Sequence, residues 1–275
     1  MQDILYPNAI RDLLAAGRSV LGVTVQTASA DIVEMAGRAG FDFVWIDCEH
    51  GAFLLEQALQ LIRAAEGAGM TPVVRVPELD ASLVARILDA GAMGVIVPNL
   101  TTRAQAQALL AATRYKDRGN GGARGACPSV RAASHLTRNW TDFVSWSNAN
   151  IMAWGTIESL EGVRNIDEIL EAGLDGIALG PFDLAHDMGF PGQPAHPEVL
   201  RALESVSLAA REKDIPVIAT LFSSDEADMR QEQAWWEERG VRIFSTGTDR
   251  GLIVTAMEAR VRANRATPGV AAVVV

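Results

Sequence analysis

The sequence has few cysteines, no long apolar run and no excess of positive charge. Two cysteines in 275 residues exclude a disulfide scaffold, and no apolar run approaches the ~18 residues needed to cross a bilayer. The 34 acidic residues outnumber the 24 basic ones, so we expect neither a nucleic-acid partner nor a membrane surface. Asp3 and Arg11 interrupt the apolar stretches near the N-terminus. We therefore see no signal peptide and expect a cytoplasmic protein.

Apolar residues make up 49% of the chain, and many of them fall in eight short runs separated by helical patterns. The runs are near-continuous rather than alternating, as in strands covered on both faces. Such alternation predicts parallel strands with crossover helices, either in an open doubly wound sheet or in a closed barrel. The closed barrel fold has eight strands and typically about 250 residues, so the sequence favours a single (β/α)8 TIM barrel over residues 1–275. The runs lie at 20–25, 43–47, 72–76, 94–98, 151–158, 175–180, 215–220 and 241–246.

Two segments depart from this alternation of apolar runs and helical patterns. Residues 115–146 separate the fourth and fifth runs, begin with a Gly-rich tract and continue into a predicted helix. We expect them to form a long βα loop or lid on the active face of the barrel. Residues 265–275 end in VAAVVV, which is too apolar for a free tail. We expect this tail to dock on another subunit.

The C-terminal ends of barrel strands carry the catalytic groups. The second run continues into DCEHG (47–51), where His50 suits general acid–base chemistry because its unperturbed pKa is ~6.5. The alternative is a solvated or structural histidine. The third run contains Arg75 near its end. This arginine either binds an anionic substrate or forms a structural ion pair.

The fifth and sixth runs are followed by one carboxylate each, Glu158 and Asp183. Two carboxylates at neighbouring strand ends, without a thiolate partner, predict a site for a hard cation such as Mg²⁺ or Mn²⁺. The alternative is that each carboxylate caps the helix that follows it. Zinc is disfavoured because Cys48 and Cys127 do not have the spacing of metal ligands.

Six segments follow one another along the chain in a characteristic order. They are GFDFVWIDCEHG, PVVRVP, ILDAGAMGVIVPNLTTRAQA, ARGACPSVRA, IESLEGVRNIDEIL and GLDGIALGPFDLAHDMGFPGQPAHPEV. In this order they resemble the HpcH/HpaI aldolase family, over about residues 10–260. Members of this family are metal-dependent class II pyruvate aldolases, of which 4-hydroxy-2-oxoheptanedioate aldolase is the best known. The resemblance therefore implies a (β/α)8 barrel that cleaves or forms 4-hydroxy-2-oxo acids through a pyruvate enolate.

The resemblance also implies roles for individual residues. His50 matches the catalytic base of the family, and Asp89 matches a carboxylate that pairs with this histidine and raises its basicity. Arg75 matches the cation that orients the substrate and stabilises the enolate. Glu158 and Asp183 match the two metal ligands. The metal is expected to be Mg²⁺, Mn²⁺ or Co²⁺, and no organic cofactor is expected.

The expected substrates are a small 2-oxo acid and an aldehyde. The backbone N–H groups of Phe182 and Asp183 match those that bind the pyruvate carboxylate in the family. No lysine lies at a predicted strand end, which agrees with a mechanism that needs no Schiff base. The full set expected to bind substrate is Arg75, Thr156, Gly180, Phe182 and Asp183.

The resemblance further implies a homo-oligomer, a hexamer built as a trimer of dimers, in which a C-terminal helix swaps between subunits. Two positions depart from the family pattern. Thr156 stands where those aldolases have a glutamine, and the stretch Gly22–Thr24 lacks the aromatic residue of their first strand. Both changes affect the pocket wall and therefore the substrate more than the metal chemistry.

These departures leave two alternatives beside the aldolase. One is the decarboxylation of oxaloacetate or a similar 2-oxo acid, which passes through the same enolate at the same site. The other is a barrel that has lost catalysis and only binds a 2-oxo acid. The complete set of His50, Arg75, Glu158 and Asp183 favours an enzyme.

Overall fold

The eight predicted runs form eight parallel strands, which pair in chain order and close with β1 against β8. This computed structural model describes residues 5–117, 119–223 and 225–265. The predicted (β/α)8 barrel is confirmed, and each strand begins and ends within two residues of its predicted bounds. The strands are β1 (Val20–Val25), β2 (Phe43–Asp47), β3 (Thr71–Arg75), β4 (Gly94–Val97), β5 (Met152–Ile157), β6 (Gly176–Leu179), β7 (Val217–Thr220) and β8 (Ile243–Thr248).

Helices follow the strands and pack around the barrel. Their amphipathic patterns place one apolar face against the strands, and this packing forms the outer core. The helices are α1 (Ala9–Ala15), α2 (Ala30–Ala39), α3 (Leu55–Gly67), α4 (Ala81–Asp89), α5 (Arg103–Thr113), α6 (Trp140–Asn150), α7 (Leu160–Arg164), α8 (Ile166–Leu170), α9 (Pro181–Asp187), α10 (Pro197–Glu212), α11 (Glu226–Glu238) and α12 (Asp249–Arg265).

Large side chains fill the interior of the barrel. Trp154 and Phe43 are fully buried there, and neighbouring strands make room for their rings with glycine. A Cβ atom at Gly176 would lie 1.9 Å from the Trp154 ring, and one at Gly22 would lie 2.3 Å from the Phe43 ring. Ile10 of α1 packs against this cluster from the N-terminal end of the barrel. The interior is therefore a packed core, and it forms a floor under the C-terminal face.

The expectation of a lid over residues 115–146 is wrong. Helix α5 already carries the chain from the end of β4 back to the N-terminal end of the barrel, and the segment begins there. It is held at that end by ion pairs from Arg131 to Glu66, near the end of α3, and from Arg124 to Asp89, at the end of α4. The prediction placed the segment on the C-terminal side of the fourth strand, although a crossover helix precedes it and returns the chain to the opposite end.

Helix α12 extends away from the barrel and is exposed from residue 250 to 265. Several apolar side chains of this helix are exposed, among them Leu252, Val254, Met257 and Val261. Almost all of the predicted apolar tail, residues 266–275, lies outside the described residues. Within the described part of the chain, no helix combines the length and the apolar character that crossing a membrane would require.

Candidate active site

The strand ends meet at a pocket of about 270 Å³ on the C-terminal face of the barrel. Its wall combines the ends of β2, β3, β5 and β6, because parallel strands direct their C-terminal ends to the same face. All but one of the residues predicted for the site lie in this wall. They are His50, Arg75, Thr156, Glu158, Gly180, Phe182 and Asp183.

Arg75 is held in place by two carboxylates. Its Nε donates to Oδ1 of Asp47 over 2.9 Å, its Nη2 donates to Oδ2 over 2.7 Å, and its Nη1 lies 3.0 Å from Oε2 of Glu49. Gln26 also donates to Asp47 over 2.8 Å. Burial alone would raise the pKa of Asp47, but the bonds and the charge of Arg75 outweigh it and hold this pKa below its usual value. Arg75 thus forms the ion pair of the second alternative and also lines the pocket, whereas its binding of an anionic substrate stays a prediction.

His50 sits on a turn that Asp47 organises. Oδ1 of Asp47 accepts hydrogen bonds from the backbone N–H groups of Glu49 and His50, over 3.1 and 3.3 Å. The imidazole itself is 56% exposed, and its Nε2 lies 3.9 Å from Oε2 of Glu49. The backbone is therefore fixed while the ring remains accessible to a ligand in the pocket. The polar run at the end of β2 had indicated His50 and the end of β3 had indicated Arg75, but neither indicated that Asp47 would hold both.

Glu158 is buried and carries a strongly perturbed carboxyl group. Burial above all, together with the charges of Asp183 and Glu49, raises its pKa to about 7, although the Asn99 backbone N–H, which donates to Oε1 over 2.5 Å, opposes this. Gly180 lies directly against it. A Cβ atom at Gly180 would be 2.4 Å from Cβ and 2.5 Å from Oε2 of Glu158.

These residues fit a hard divalent cation. Asp183, in the first turn of α9, and Glu158 supply oxygen atoms, and a bound cation would offset both the burial of the Glu158 charge and its repulsion by Asp183. Among the residues that the structure describes, no cluster of three or more His, Cys, Asp or Glu side chains could hold a metal. Two protein carboxylates would leave the other positions to water and substrate oxygens, as Mg²⁺ and Mn²⁺ prefer. The thiol of Cys48 is unsuited to a metal, because burial raises its pKa to about 12.

The sequence reasoning missed Trp45. Its ring lines the pocket, and the Arg75 guanidinium carbon lies 5.3 Å from the ring centroid. Within the described residues, neither Nε1 of Trp45 nor Oγ1 of Thr156 has a hydrogen-bond partner, although both atoms are buried. Trp45 lies two residues before Asp47 on β2 and so faces the same side of the strand. That alternation was the signal that could have identified it.

Within one chain, the fold does not place Asp89 near His50. It is the last residue of α4, at the N-terminal end of the barrel, whereas His50 lies at the C-terminal end. Its carboxylate accepts a hydrogen bond from Nη2 of Arg124 over 2.7 Å. A pairing of the two residues inside a single barrel is therefore wrong, because crossover helices run antiparallel to the strands and return the chain to the opposite end.

The comparison with known proteins identifies a family. The HpcH/HpaI aldolase/citrate lyase profile matches residues 21–256. The 5-keto-4-deoxy-D-glucarate aldolase of Shigella dysenteriae serotype 1 (strain Sd197) is 32% identical over 259 residues, which cover 94% of this chain and 97% of that protein. The HpcH/HpaI aldolase structure from Desulfitobacterium hafniense DCB-2 has a TM-score of 0.86 and 29% identity, covering 98% of this chain and 100% of that one. Citrate synthase SbnG has a TM-score of 0.82 and 30% identity, with coverages of 93% and 97%.

Proposed function

This chain is an aldolase of the HpcH/HpaI aldolase/citrate lyase family, and we propose that it cleaves and forms 4-hydroxy-2-oxo acids. The proposed reaction passes through a pyruvate enolate and uses a divalent cation. The observation that carries this proposal is the convergence of His50, Arg75, Glu158 and Asp183 on one pocket. Each of the four comes from a different strand end. Together they supply an acid–base group, a fixed cation and a pair of metal-binding carboxylates.

Glu158 and Asp183 would hold the metal at the junction of β5 and β6. Bound there, a divalent cation polarises the keto group of a 2-oxo acid and stabilises the enolate that forms from it. Gly180 lets the backbone of β6 approach Glu158 closely. The backbone N–H groups of Phe182 and Asp183 lie in the first turn of α9, where helical N–H groups have no partner within the helix. They are suited to bind the substrate carboxylate.

Arg75 is suited to stabilise negative charge on the substrate. A guanidinium group carries five N–H donors. Asp47 and Glu49 occupy three of those of Arg75, one on each nitrogen atom. The remaining donors are available to the pocket, and the carboxylates hold them in a fixed orientation. A fixed cation stabilises developing charge without having to reorganise during the reaction.

His50 is suited to move the proton. In the cleavage direction it accepts the proton of the C4 hydroxyl group, the C3–C4 bond breaks, and its electron pair forms the enolate while C4 leaves as the aldehyde. The enolate then takes a proton at C3 and becomes pyruvate. In the synthetic direction the same atoms move in reverse.

We further propose that the enzyme is a homo-oligomer in which α12 packs on a neighbouring barrel. The exposed apolar side chains of α12 favour this arrangement. The positions of Asp89 and His50 at opposite ends of one barrel mean that their pairing would require two subunits. A hexamer built as a trimer of dimers would offer contacts of both kinds. We place the enzyme in the cytoplasm, where its free cysteines, Cys48 and Cys127, stay reduced.

Proton exchange of the pyruvate methyl group in D₂O, followed by NMR, tests the proposed function without assuming any aldehyde. We expect exchange with Mg²⁺ or Mn²⁺, its loss after chelation, and its loss in Glu158→Gln. The variant His50→Ala is expected to lose aldol cleavage. A folded protein that exchanges no methyl proton with any divalent metal would refute the pyruvate-enolate mechanism.

A further inference from the structure

A second cavity of about 350 Å³ adjoins the catalytic pocket, between α10 and α11. The two cavities share part of their wall, and Phe222 lies in the shared part. The residues that line both are Leu179, Pro181, Thr220 and Phe222. A substrate bound at Glu158 and Asp183 would therefore reach the side cavity by extending past Phe222.

The side cavity is mainly apolar. Its lining includes Leu200 and Leu203 of α10 and the indole rings of Trp235 and Trp236 of α11. The carboxylate of Glu232 also lies in this wall, but it already accepts hydrogen bonds from backbone N–H groups. The carboxylate of Glu232 therefore keeps these hydrogen bonds when an apolar group enters the cavity.

Glu232 also positions the boundary between the two cavities. Its carboxylate accepts the backbone N–H of Phe222 over 3.1 Å and that of Ser223 over 3.2 Å. These bonds tie the chain after β7 to helix α11. The ring of Phe222 is thereby held at the mouth of the catalytic pocket.

Phe222 forms an aromatic pair with Phe182. Their ring centroids are 5.2 Å apart in an edge-to-face arrangement, and 46% of Phe222 and 47% of Phe182 are exposed. Two exposed phenyl rings beside a polar pocket form an apolar rim that a ligand can cover. Covering them with an apolar group removes area from water and contributes to binding.

We propose that the side cavity and the Phe182–Phe222 pair bind the substituent of the aldehyde, so that the enzyme acts on 4-hydroxy-2-oxo acids with an aromatic or branched aliphatic substituent. This inference rests on the proposed function and adds the class of aldehyde. The relative from Shigella dysenteriae is named for a sugar acid, and an apolar cavity does not suit such a substituent. An apolar cavity of roughly 150 Å³ is enough to bind benzene in another protein, so this cavity has room for a substituted phenyl ring.

The experiment measures kcat/KM for condensation of pyruvate with benzaldehyde, isobutyraldehyde and glyoxylate, using the full chain with Mg²⁺. Benzaldehyde and isobutyraldehyde are expected to exceed glyoxylate. The variant Ala195→Trp fills the side cavity from an exposed loop, and it should lower kcat/KM for benzaldehyde by about tenfold or more. The matched control is Ala108→Trp, on the exposed surface of α5, which should leave all three values unchanged.

Methyl exchange of pyruvate separates this inference from the proposed function. The Ala195→Trp variant should exchange methyl protons at the wild-type rate, because Ala195 does not line the catalytic pocket. If exchange persists but glyoxylate is preferred, or if the variant does not alter the ranking of aldehydes, the side-cavity inference is wrong and the pyruvate chemistry stands. If the wild-type protein shows no exchange, both are overturned.

Discussion

Thr24 and Trp45 are neighbours across the first two strands of the barrel. They are register partners in the β1–β2 pairing, and both line the catalytic pocket. The small residue on β1 thus lies beside a large ring on β2. The resembling aldolases carry their aromatic residue on the first strand, so in this chain the indole occupies the adjacent strand. The pocket wall of this chain therefore carries an aromatic ring on β2, beside the small side chain of Thr24.

The first prediction follows from the pairing of Thr24 with Trp45. Trp45→Leu should destabilise the protein by about 3 kcal/mol, because it leaves a cavity, and Thr24→Trp should destabilise it by about 1–3 kcal/mol, because it overpacks the floor. The double variant places the ring on β1 instead of β2 and should lose less than the sum of the two. Thermal unfolding of all four proteins gives the coupling energy. Additive losses would show that the two positions do not share one space.

The second prediction concerns the fixation of Arg75. Asp47→Asn removes the charge that pairs with a largely buried guanidinium group, and it should cost about 3 kcal/mol of unfolding free energy. It should also slow methyl exchange, since the donors of Arg75 lose their orientation. Denaturant unfolding and exchange rates check both effects. The matched variant Glu49→Gln removes the weaker partner and should cost less, and an equal cost would contradict the assignment of Asp47 as the main support.

The third prediction concerns the dependence of stability on pH. The pKa of Glu158 rises from 4.5 to about 7 on folding without metal, so the folded state holds its proton more tightly than the unfolded state. The contribution of this group to stability is therefore present at low pH, falls as the pH rises from 4.5, and is lost above about 7.

Glu158→Gln removes this titration. In chelator, the variant should be more stable than wild type by roughly 3 kcal/mol at about pH 8 and by much less at about pH 5. Thermal unfolding at the two pH values measures the difference. The same variant should lose methyl exchange, since it removes a metal ligand. A stability difference that is independent of pH would show that burial of the charge is not its cause.

The fourth prediction tests whether two subunits share a site. His50→Ala and Asp89→Asn should each be impaired alone. If Asp89 serves the His50 of a neighbour, oligomers that contain both variants should regain activity at about a quarter of their sites. Cleavage activity after mixed refolding measures this recovery. The control mixes His50→Ala with Glu158→Gln, whose changed residues lie in the same pocket of one chain, and it should regain nothing. Failure of the first mixture to regain activity would refute the shared site.

The sequence predicted the position of a residue correctly where that position depended only on the strand that carries the residue. The apolar runs predicted the eight strands, and the ends of those strands supplied His50, Arg75, Glu158 and Asp183. It failed where the answer depended on the direction of a helix. Asp89 ends one crossover helix and residues 115–146 follow another, so both lie at the end of the barrel opposite to the site.

Other features depend on contacts between distant parts of the chain. The place of Trp45 in the pocket wall depends on the residue beside it on β1. The role of Asp47 depends on Arg75, which lies on the next strand. The side cavity lies between α10 and α11, which no single helix pattern shows. Patterns along the chain predict which elements form, whereas the gaps between elements follow from how those elements pack.

The packed barrel interior has a kinetic consequence. Phe43 and Trp154 fill the space below the pocket, and Ile10 packs against them from the opposite end, so the pocket is closed at its base. Glu158 is buried in this pocket, whereas Phe182 and Phe222 at its rim are exposed. With pyruvate bound beside Glu158, as proposed, we expect pyruvate to bind before the aldehyde in condensation and the aldehyde to depart first in cleavage. A pocket that is closed at its base thus predicts an ordered addition of the two substrates.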